Sequence, residues 1–258
     1  MRKYLFLIPF FALSTVRAAI HTEAVTYSHG NAALVGYLAY DDASQEKRPG
    51  ILVTHEWWGL TDHIKQMTEE LAKLGYVAFA PDIYGKGQIT TDPSEAGKWS
   101  SIYKSDRGLM RGRMDAGLSV LKKQKMVDTG RIAAIGFCFG GTCSLELARA
   151  GANVNGVVSF HGGLDTPNPD DAKNIKGKVL VLTGGDDNYI PPEQIIAFEK
   201  EMRDAKVDWQ LNSYGNAVHG YTNPTAGTDN SKGYAYNEKA AKRSWLAMQD
   251  FFREIFVK

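Results

Sequence analysis

Gly136-Phe137-Cys138-Phe139-Gly140-Gly141 is the stretch that decides the fold of this chain. It follows an apolar run, residues 131–135, that predicts a short buried strand, and it precedes a helical pattern over residues 142–149. A strand that passes directly into a helix forces a tight turn, and the flanking glycines leave that turn room. Cys138 is then expected to project above the sheet edge, where the helix N-terminus favours a thiolate. This pattern predicts a nucleophile elbow; the alternative is a buried structural cysteine beside a glycine-rich helix start.

Apolar, β-branched runs alternate with helical patterns along the rest of the chain. This alternation predicts an α/β fold, with a mainly parallel sheet covered by helices on both faces. The predicted strands are Ala33–Tyr40, Gly50–His55, Val77–Ala80, Arg131–Phe137, Val154–Phe160, Lys178–Thr183 and Trp209–Tyr214. The predicted helices are His63–Leu74, Arg107–Gln124, Gly141–Ala150, Pro192–Asp204 and Tyr236–Phe256. The polar segment Tyr84–Lys104 is predicted to be irregular, either a lid over a pocket or a plain surface loop.

The N-terminus has the composition of an export signal. Basic residues open the chain, an apolar stretch too short to span a bilayer follows, and small residues surround Ala18. This pattern predicts a secretory signal peptide over residues 1–18, with an uncleaved anchor as the alternative. We therefore expect residues 19–258 to form a single periplasmic or secreted domain, with no stable membrane association after cleavage.

Charge and cysteine usage exclude several classes of partner. The sequence has 30 basic and 29 acidic residues, and loss of residues 1–18 would leave 27 basic residues and a net charge of −2. A near-neutral chain does not favour nucleic-acid binding, which needs a concentrated basic face. Cys138 and Cys143 lack the spacing of a zinc site, and their side chains are expected to point in different directions at a helix start, so we expect neither a metal site nor a disulfide. The predicted chemistry requires no organic cofactor.

A cysteine nucleophile needs a base, and the base needs an acid to orient it. When the fold carries such a triad, the acid and then the histidine follow the nucleophile along the chain. Asp186 and Asp187 both follow the strand at 178–183 and compete for the role of the acid. His219 comes after the next predicted strand and is the best candidate for the base.

The other histidines fit the role of the base less well. His55 and His161 both follow strands, but they precede the acid in the chain. His63 is expected at an exposed helix end, and His21 and His29 lie near the mature N-terminus.

The segment Thr54-His55-Glu56-Trp57-Trp58-Gly59-Leu60 lies at the end of an early predicted strand. In such sheets this position supplies the second N–H of the oxyanion hole, so we expect the amide of Trp57 to face the site. Glu56 is expected to enter an apolar pocket. An unpartnered buried carboxylate is costly, so Glu56 should have a role such as holding the proton of the thiol.

These segments, together with Pro81–Gly85 and Val218–Tyr221, resemble the dienelactone hydrolase family of α/β-hydrolases. The resemblance covers nearly all of the mature chain. It implies that Cys138 is the nucleophile, His219 the base and Asp187 the acid, because the family's acid lies four residues before a proline, here Pro191. It also implies that Glu56 hydrogen-bonds the resting thiol and takes its proton when the substrate enters. The backbone N–H groups of Phe139 and Trp57 would form the oxyanion hole.

One position departs from the family pattern. Enzymes of this family that act on dienelactone carry an arginine four residues past the histidine, and this chain has Asn223 there. An asparagine cannot form the bidentate charged pair that grips a carboxylate. Arg107, Arg111 and Arg113 remain candidates for a replacement cation. Trp58, Tyr84, Tyr221 and Asn223 are the residues we expect to contact the substrate.

The sequence therefore predicts an exported hydrolase that cleaves a small ester or lactone through a Cys138 acyl-enzyme, a carboxymethylenebutenolidase-type reaction. One alternative keeps the triad and changes the bond, giving a thioesterase or a peptidase-like acyl hydrolase. Another is a non-catalytic protein that binds small molecules on the same fold. The sequence gives no prediction of oligomeric state.

Overall fold

A central sheet organises the chain in the computed structural model, which describes residues 19–86 and 88–257. The predicted signal peptide, residues 1–18, lies outside the described residues. Eight strands within that part form the sheet: β1 Ile20–His29, β2 Ala32–Asp41, β3 Arg48–Thr54, β4 Val77–Ala80, β5 Val127–Phe137, β6 Gly156–Phe160, β7 Lys178–Gly184 and β8 Trp209–Tyr214. Their order is β1-β2-β4-β3-β5-β6-β7-β8. The first two pairings are antiparallel and the others are parallel.

Helices cover both faces of this sheet. Those of the described residues are α1 Asp62–Lys73, α2 Pro93–Ser105, α3 Arg107–Lys122, α4 Phe139–Arg149, α5 Pro192–Ala205 and α6 Glu238–Ile255. Three short 3₁₀ segments lie at Pro169–Asn174, Pro224–Ala226 and Asn230–Lys232. One hydrophobic cluster contains α1 and α6, and another contains residues of α2, α3, α4 and α5 on the opposite face. The predicted α/β class, with helices on both faces, is confirmed. Among residues 19–86 and 88–257, no helix has the length and apolar character needed to cross a membrane.

Two elements of the described structure, α2 and β1, were not predicted from the sequence. The irregular segment predicted over Tyr84–Lys104 contains α2, which begins at Pro93 after the N-cap Asp92, whose side chain accepts from the amide of Ser94. Strand β1 was also missed; it pairs with β2 across a tight turn at Gly30, which has φ 57°.

His63 is not at an exposed helix end as predicted. It is only 9% exposed, and its ring packs edge-on against Phe137 with the centroids 6.0 Å apart. The first turn of α1 therefore lies against the sheet.

Arg149, at the end of α4, is fully buried and ties α4 to α5. Its guanidinium donates to both oxygens of Glu201, at 2.8 and 2.7 Å, and to Glu146 at 3.1 Å. The same group donates to the carbonyl of Leu164 at 2.9 Å. This contact fixes the loop that follows β6.

Replacement of Arg149 by methionine is expected to destabilise the fold by roughly 3–5 kcal/mol, because it leaves the buried carboxylate of Glu201 without its cation. Chemical denaturation monitored by circular dichroism measures the change. Arg203→Met is the matched control, since Arg203 forms an exposed pair with Glu199 on α5. Exposed pairs contribute little, so the control should keep the wild-type midpoint. An equal loss in both variants would contradict this account.

Candidate active site

The nucleophile elbow forms between β5 and α4. Cys138 has φ 53° and ψ −118°, a left-handed conformation that non-glycine residues rarely adopt. A Cβ on Gly136 would collide with the carbonyl of Gly140, and a Cβ on Gly140 would collide with the carbonyl of Thr54. Both glycines are therefore required for the close approach of β3, the turn and α4. The amide of Cys138 donates to the carbonyl of Phe160 at 2.9 Å, which holds the elbow on β6.

Asp187 and His219 lie on the loops that follow β7 and β8. Nδ1 of His219 is 2.8 Å from Oδ2 of Asp187, and Asp187 is only 6% exposed. The other carboxylate oxygen of Asp187 accepts from the amide of Tyr189 at 2.9 Å. Asp186 is exposed, and its amide donates to the carbonyl of Ala217. The structure thus brings Asp187, and not Asp186, to the histidine.

His219 also hydrogen-bonds the side chain of Cys138. Burial lowers the pKa of His219, but the charge of the Cys138 thiolate and the hydrogen bond to Asp187 outweigh it and raise that pKa to about 10. The arrangement favours a thiolate–imidazolium pair, the reactive form of a cysteine nucleophile.

His55 and His161, the competing histidines, support the elbow. Nδ1 of His161 accepts from the amide of Cys138 at 3.2 Å, so its proton is on Nε2, which lies 2.8 Å from Oγ1 of Thr222. Nε2 of His55 accepts from the amide of Ile83 at 3.2 Å, which leaves Nδ1 to donate to the carbonyl of Glu56. Burial lowers the pKa of both rings. Both histidines are therefore neutral parts of the frame.

Glu56 is buried, with 1% exposure, close to the catalytic pair. Burial raises its pKa to about 7, although the nearby His219 and hydrogen bonds from Asn223 and Tyr234 act in the opposite direction. Oε2 accepts from Nδ2 of Asn223 at 3.1 Å, and Oε1 has no partner among the described residues. In this arrangement the sulfur of Cys138 contacts His219, while Glu56 accepts a hydrogen bond from Asn223.

A cavity of about 490 Å³ opens above the elbow. Cys138, Phe139 and His219 lie at its base, and Trp57 and Trp58 form one wall. Phe139 is the first residue of α4, so its amide has no carbonyl partner one turn back in the helix. Phe139 and Trp57, the predicted sources of the oxyanion-hole N–H groups, thus both border the space above the nucleophile.

The candidate arginines do not line this cavity. Arg107 donates to Asp165 at 2.7 Å, Arg111 pairs with Glu146 and Asp171, and Arg113 donates to the carbonyl of His29. Among the described residues, Lys104, at the end of α2, is the lysine or arginine that lines the cavity.

Three of the four residues predicted to contact the substrate lie elsewhere, and only Trp58 lines the cavity. Tyr84 is 5% exposed and donates to the carbonyl of Trp57 at 3.0 Å, so it supports the wall from behind. Tyr221 is fully buried and donates to the carbonyl of Leu182 at 3.1 Å. Asn223 is 5% exposed and holds Glu56. Each of these side chains forms a hydrogen bond within the protein and does not line the cavity.

Sequence reasoning missed several residues of the cavity wall, namely Lys104, Tyr189, Gln194 and Tyr234. Tyr234 belongs to an irregular segment, and an isolated bridge between it and His219 brings it to the site. Lys104 was placed in a segment predicted to be irregular. The signal of α2 was present in the sequence, because Asp92-Pro93 followed by Glu95 is a typical helix start.

The described residues contain no group of three or more histidine, cysteine or acidic side chains able to hold a metal ion. Cys138 and Cys143 are both free.

Comparison with known proteins places these features in a family. The profile of the dienelactone hydrolase family matches residues 34–256. A putative carboxymethylenebutenolidase of Methylorubrum extorquens is 31% identical over 222 residues, covering 81% of this chain and 73% of that protein. Protein usf of Aquifex pyrophilus is 27% identical over 237 residues, covering 90% of this chain and 98% of that protein. A solved dienelactone hydrolase-like promiscuous phosphotriesterase from metagenomic libraries is 41% identical, with a TM-score of 0.89, covering 93% of this chain and 100% of that one.

Proposed function

We propose that this chain, which belongs to the dienelactone hydrolase family and is a hydrolase of the carboxylic-ester type, cleaves small esters or lactones through an acyl-enzyme on Cys138. The observation that carries the proposal is the contact of His219 with both Cys138 and Asp187 at the base of one cavity. This is the arrangement of nucleophile, base and orienting acid that covalent acyl transfer requires.

The reaction starts from the thiolate–imidazolium pair. The sulfur attacks the carbonyl carbon, a C–S bond forms, and the amides of Phe139 and Trp57 stabilise the oxyanion. Collapse breaks the C–O bond of the ester, and the leaving oxygen takes the proton of His219. The neutral imidazole then takes a proton from water, the hydroxide attacks the thioester, and the C–S bond breaks. The acid product leaves, and the pair is restored.

The experiment that tests this function is intact-protein mass spectrometry during turnover of a phenyl ester or a small lactone. We expect a mass increase equal to the acyl group, located on the peptide that contains Cys138 and absent from Cys138→Ala. Hydrolysis that proceeds at full rate without any acylated peptide in the wild-type enzyme, even after rapid acid quenching, would contradict the cysteine mechanism.

Glu56 is expected to control the pH dependence of acylation. With its pKa raised to about 7 by burial, Glu56 is a neutral acid below that pH and a carboxylate above it. The carboxylate favours the imidazolium form of His219 and, through it, the thiolate form of Cys138. The acylation rate should therefore rise as the pH rises through about 7.

Pre-steady-state acylation rates between pH 5 and 9 measure this effect. In Glu56→Gln the inflection near pH 7 should disappear and the plateau should fall, whereas the control Glu199→Gln, at a partly exposed position on α5, should retain the wild-type profile. An unchanged inflection in Glu56→Gln would assign the titration to another group.

A second candidate activity is the hydrolysis of neutral phosphotriesters. The relative that is 41% identical is described as a promiscuous phosphotriesterase. The cavity of this chain has aromatic walls at Trp57, Trp58 and Phe139, which suit an uncharged triester. Release of the aryl alcohol from a dialkyl aryl phosphate, lost in Cys138→Ala, would support this activity, and its absence at high enzyme concentration would exclude it.

Export is also part of the proposal and rests on the composition of residues 1–18. Mass spectrometry of the protein purified from its own host should find Ala19 as the first residue. A mature protein that retains residues 1–18 would contradict cleavage.

A further inference from the structure

A second cavity of about 360 Å³ lies beside the catalytic cavity. Trp58 and Tyr234 line both cavities. Glu56 and Asn223 line the second cavity, whereas Cys138 and His219 line the first. The two aromatic side chains therefore form a wall between the two spaces, here called the aromatic partition.

Contacts on several sides hold the aromatic partition in place. The indole N–H of Trp58 hydrogen-bonds the hydroxyl of Tyr234, which also accepts from Nδ2 of Asn223 at 3.3 Å. The ring of Trp57 packs edge-on against Trp58, with the centroids 4.8 Å apart. The ring of Tyr234 occupies the space where a Cβ on residue 220 would lie, which only Gly220 leaves open.

Both spaces that the partition separates have mostly apolar surfaces. The catalytic cavity has Trp57, Phe139 and Ile190 among its lining residues. The second cavity has Trp58, Ile89 and Tyr234 in its lining beside several threonine side chains. A mostly apolar space favours an apolar group of a substrate over a hydrated chain.

We propose that Trp58 and Tyr234 determine which esters the protein accepts: the partition limits the substrate to groups that fit the catalytic cavity, and it closes off the second, mostly apolar cavity. The inference rests on the proposed ester hydrolysis and names its substrate class, small esters and lactones without long branches. Without either ring, the two cavities join into one space that reaches Glu56 and Thr61.

The test compares kcat/KM for two series of aryl esters, one with alkyl acyl chains and one with oxyethylene chains of the same length. The wild-type enzyme should lose activity towards the longer members of both series. Since each methylene group that a pocket accepts or rejects changes the rate by about 10–200-fold, Tyr234→Ala and Trp58→Ala should raise the long-to-short ratio at least about tenfold. The gain should be larger for the alkyl series, because the surface of the second cavity is mostly apolar.

Tyr234→Phe is the matched control, because it keeps the ring and removes only the hydroxyl. Its long-to-short ratio should stay close to the wild-type value. Ratios that are the same in all four proteins would overturn the proposal, and so would an equal gain in Tyr234→Phe.

A readout that does not depend on turnover separates this inference from the proposed function. Alkylation of Cys138 by iodoacetamides with N-substituents of increasing length reports access to the sulfur alone. Removal of either ring should speed alkylation by the long reagents more than by iodoacetamide itself. If the wild-type protein hydrolyses no ester but the two alanine variants show this alkylation pattern, the proposed function fails and the partition stands. If esters are hydrolysed and neither readout depends on length in the variants, the partition fails alone.

Discussion

Cys138→Ala is expected to lower kcat/KM for short aryl esters by at least about 10⁴-fold, the loss typical for removal of a member of a catalytic triad. The alanine keeps the small size that the elbow requires but removes the atom that forms the C–S bond. His219 then has no thiolate beside it, although its contact with Asp187 at 2.8 Å remains. The residual rate would come from the cavity and the oxyanion-hole amides.

Cys143→Ala is the matched control for this experiment. Cys143 lies on α4, is fully buried, and has its thiol pKa raised above the ordinary range by burial, so it is inert. Steady-state assays with purified protein should show near wild-type turnover for Cys143→Ala. Equal turnover in Cys138→Ala and in the wild-type enzyme would reject Cys138 as the nucleophile.

The elbow was predictable because its determinants are local. The backbone of one turn requires Gly136 and Gly140, and the patterns that predict the strand and the helix lie directly before and after that turn. The order of the parallel strands then places the loops after β7 and β8 at the same sheet edge as Cys138. This explains why His219 could be chosen from the order of the motifs.

The cavity wall was much less predictable, because its residues come from segments with no periodic pattern. Tyr234 reaches the site through a bridge to His219, a contact with no counterpart in local spacing. Tyr84 and Tyr221 follow recognisable motifs, yet both donate their hydroxyl groups to main-chain carbonyls and do not face the cavity. Motif position indicates that a residue is near the site, but hydrogen-bond partners decide which way its side chain points.

The position of Glu56 near the site could also be predicted from the sequence, but its hydrogen-bond partner could not. The cost of an unpartnered buried carboxylate predicted that this residue would have a specific role near the thiol. The structure gives Oε2 a partner in Asn223. Asn223 is thus a neutral support for Glu56, and the basic side chain available to a carboxylate-bearing substrate is that of Lys104, in the last turn of α2.

The second large loss of activity is expected from replacing the triad acid, a role for which the sequence offered both Asp186 and Asp187. Asp187→Asn is expected to lower kcat/KM by about 10³–10⁴-fold, since a triad acid fixes the tautomer of its histidine. One carboxylate oxygen of Asp187 accepts from His219 and the other accepts from the amide of Tyr189. An asparagine has one acceptor oxygen, so its NH₂ group must face either the imidazole N–H or the backbone N–H. Loss of the carboxylate charge also lowers the pKa of His219 from about 10 and weakens the thiolate–imidazolium pair.

Asp186→Asn is the control one residue away, with the same change of charge. Its side chain is exposed, and its backbone amide donates to the carbonyl of Ala217. The kcat/KM of this variant should therefore stay within about twofold of wild type, as for most surface substitutions. The pH dependence of acylation adds a readout that misfolding would not reproduce: the imidazolium should titrate at lower pH in Asp187→Asn and at the wild-type pH in Asp186→Asn. A larger loss in Asp186→Asn would reverse the assignment. Equal losses in both variants would show that the net charge of the loop, and not the contact with Nδ1, holds the histidine in its reactive form.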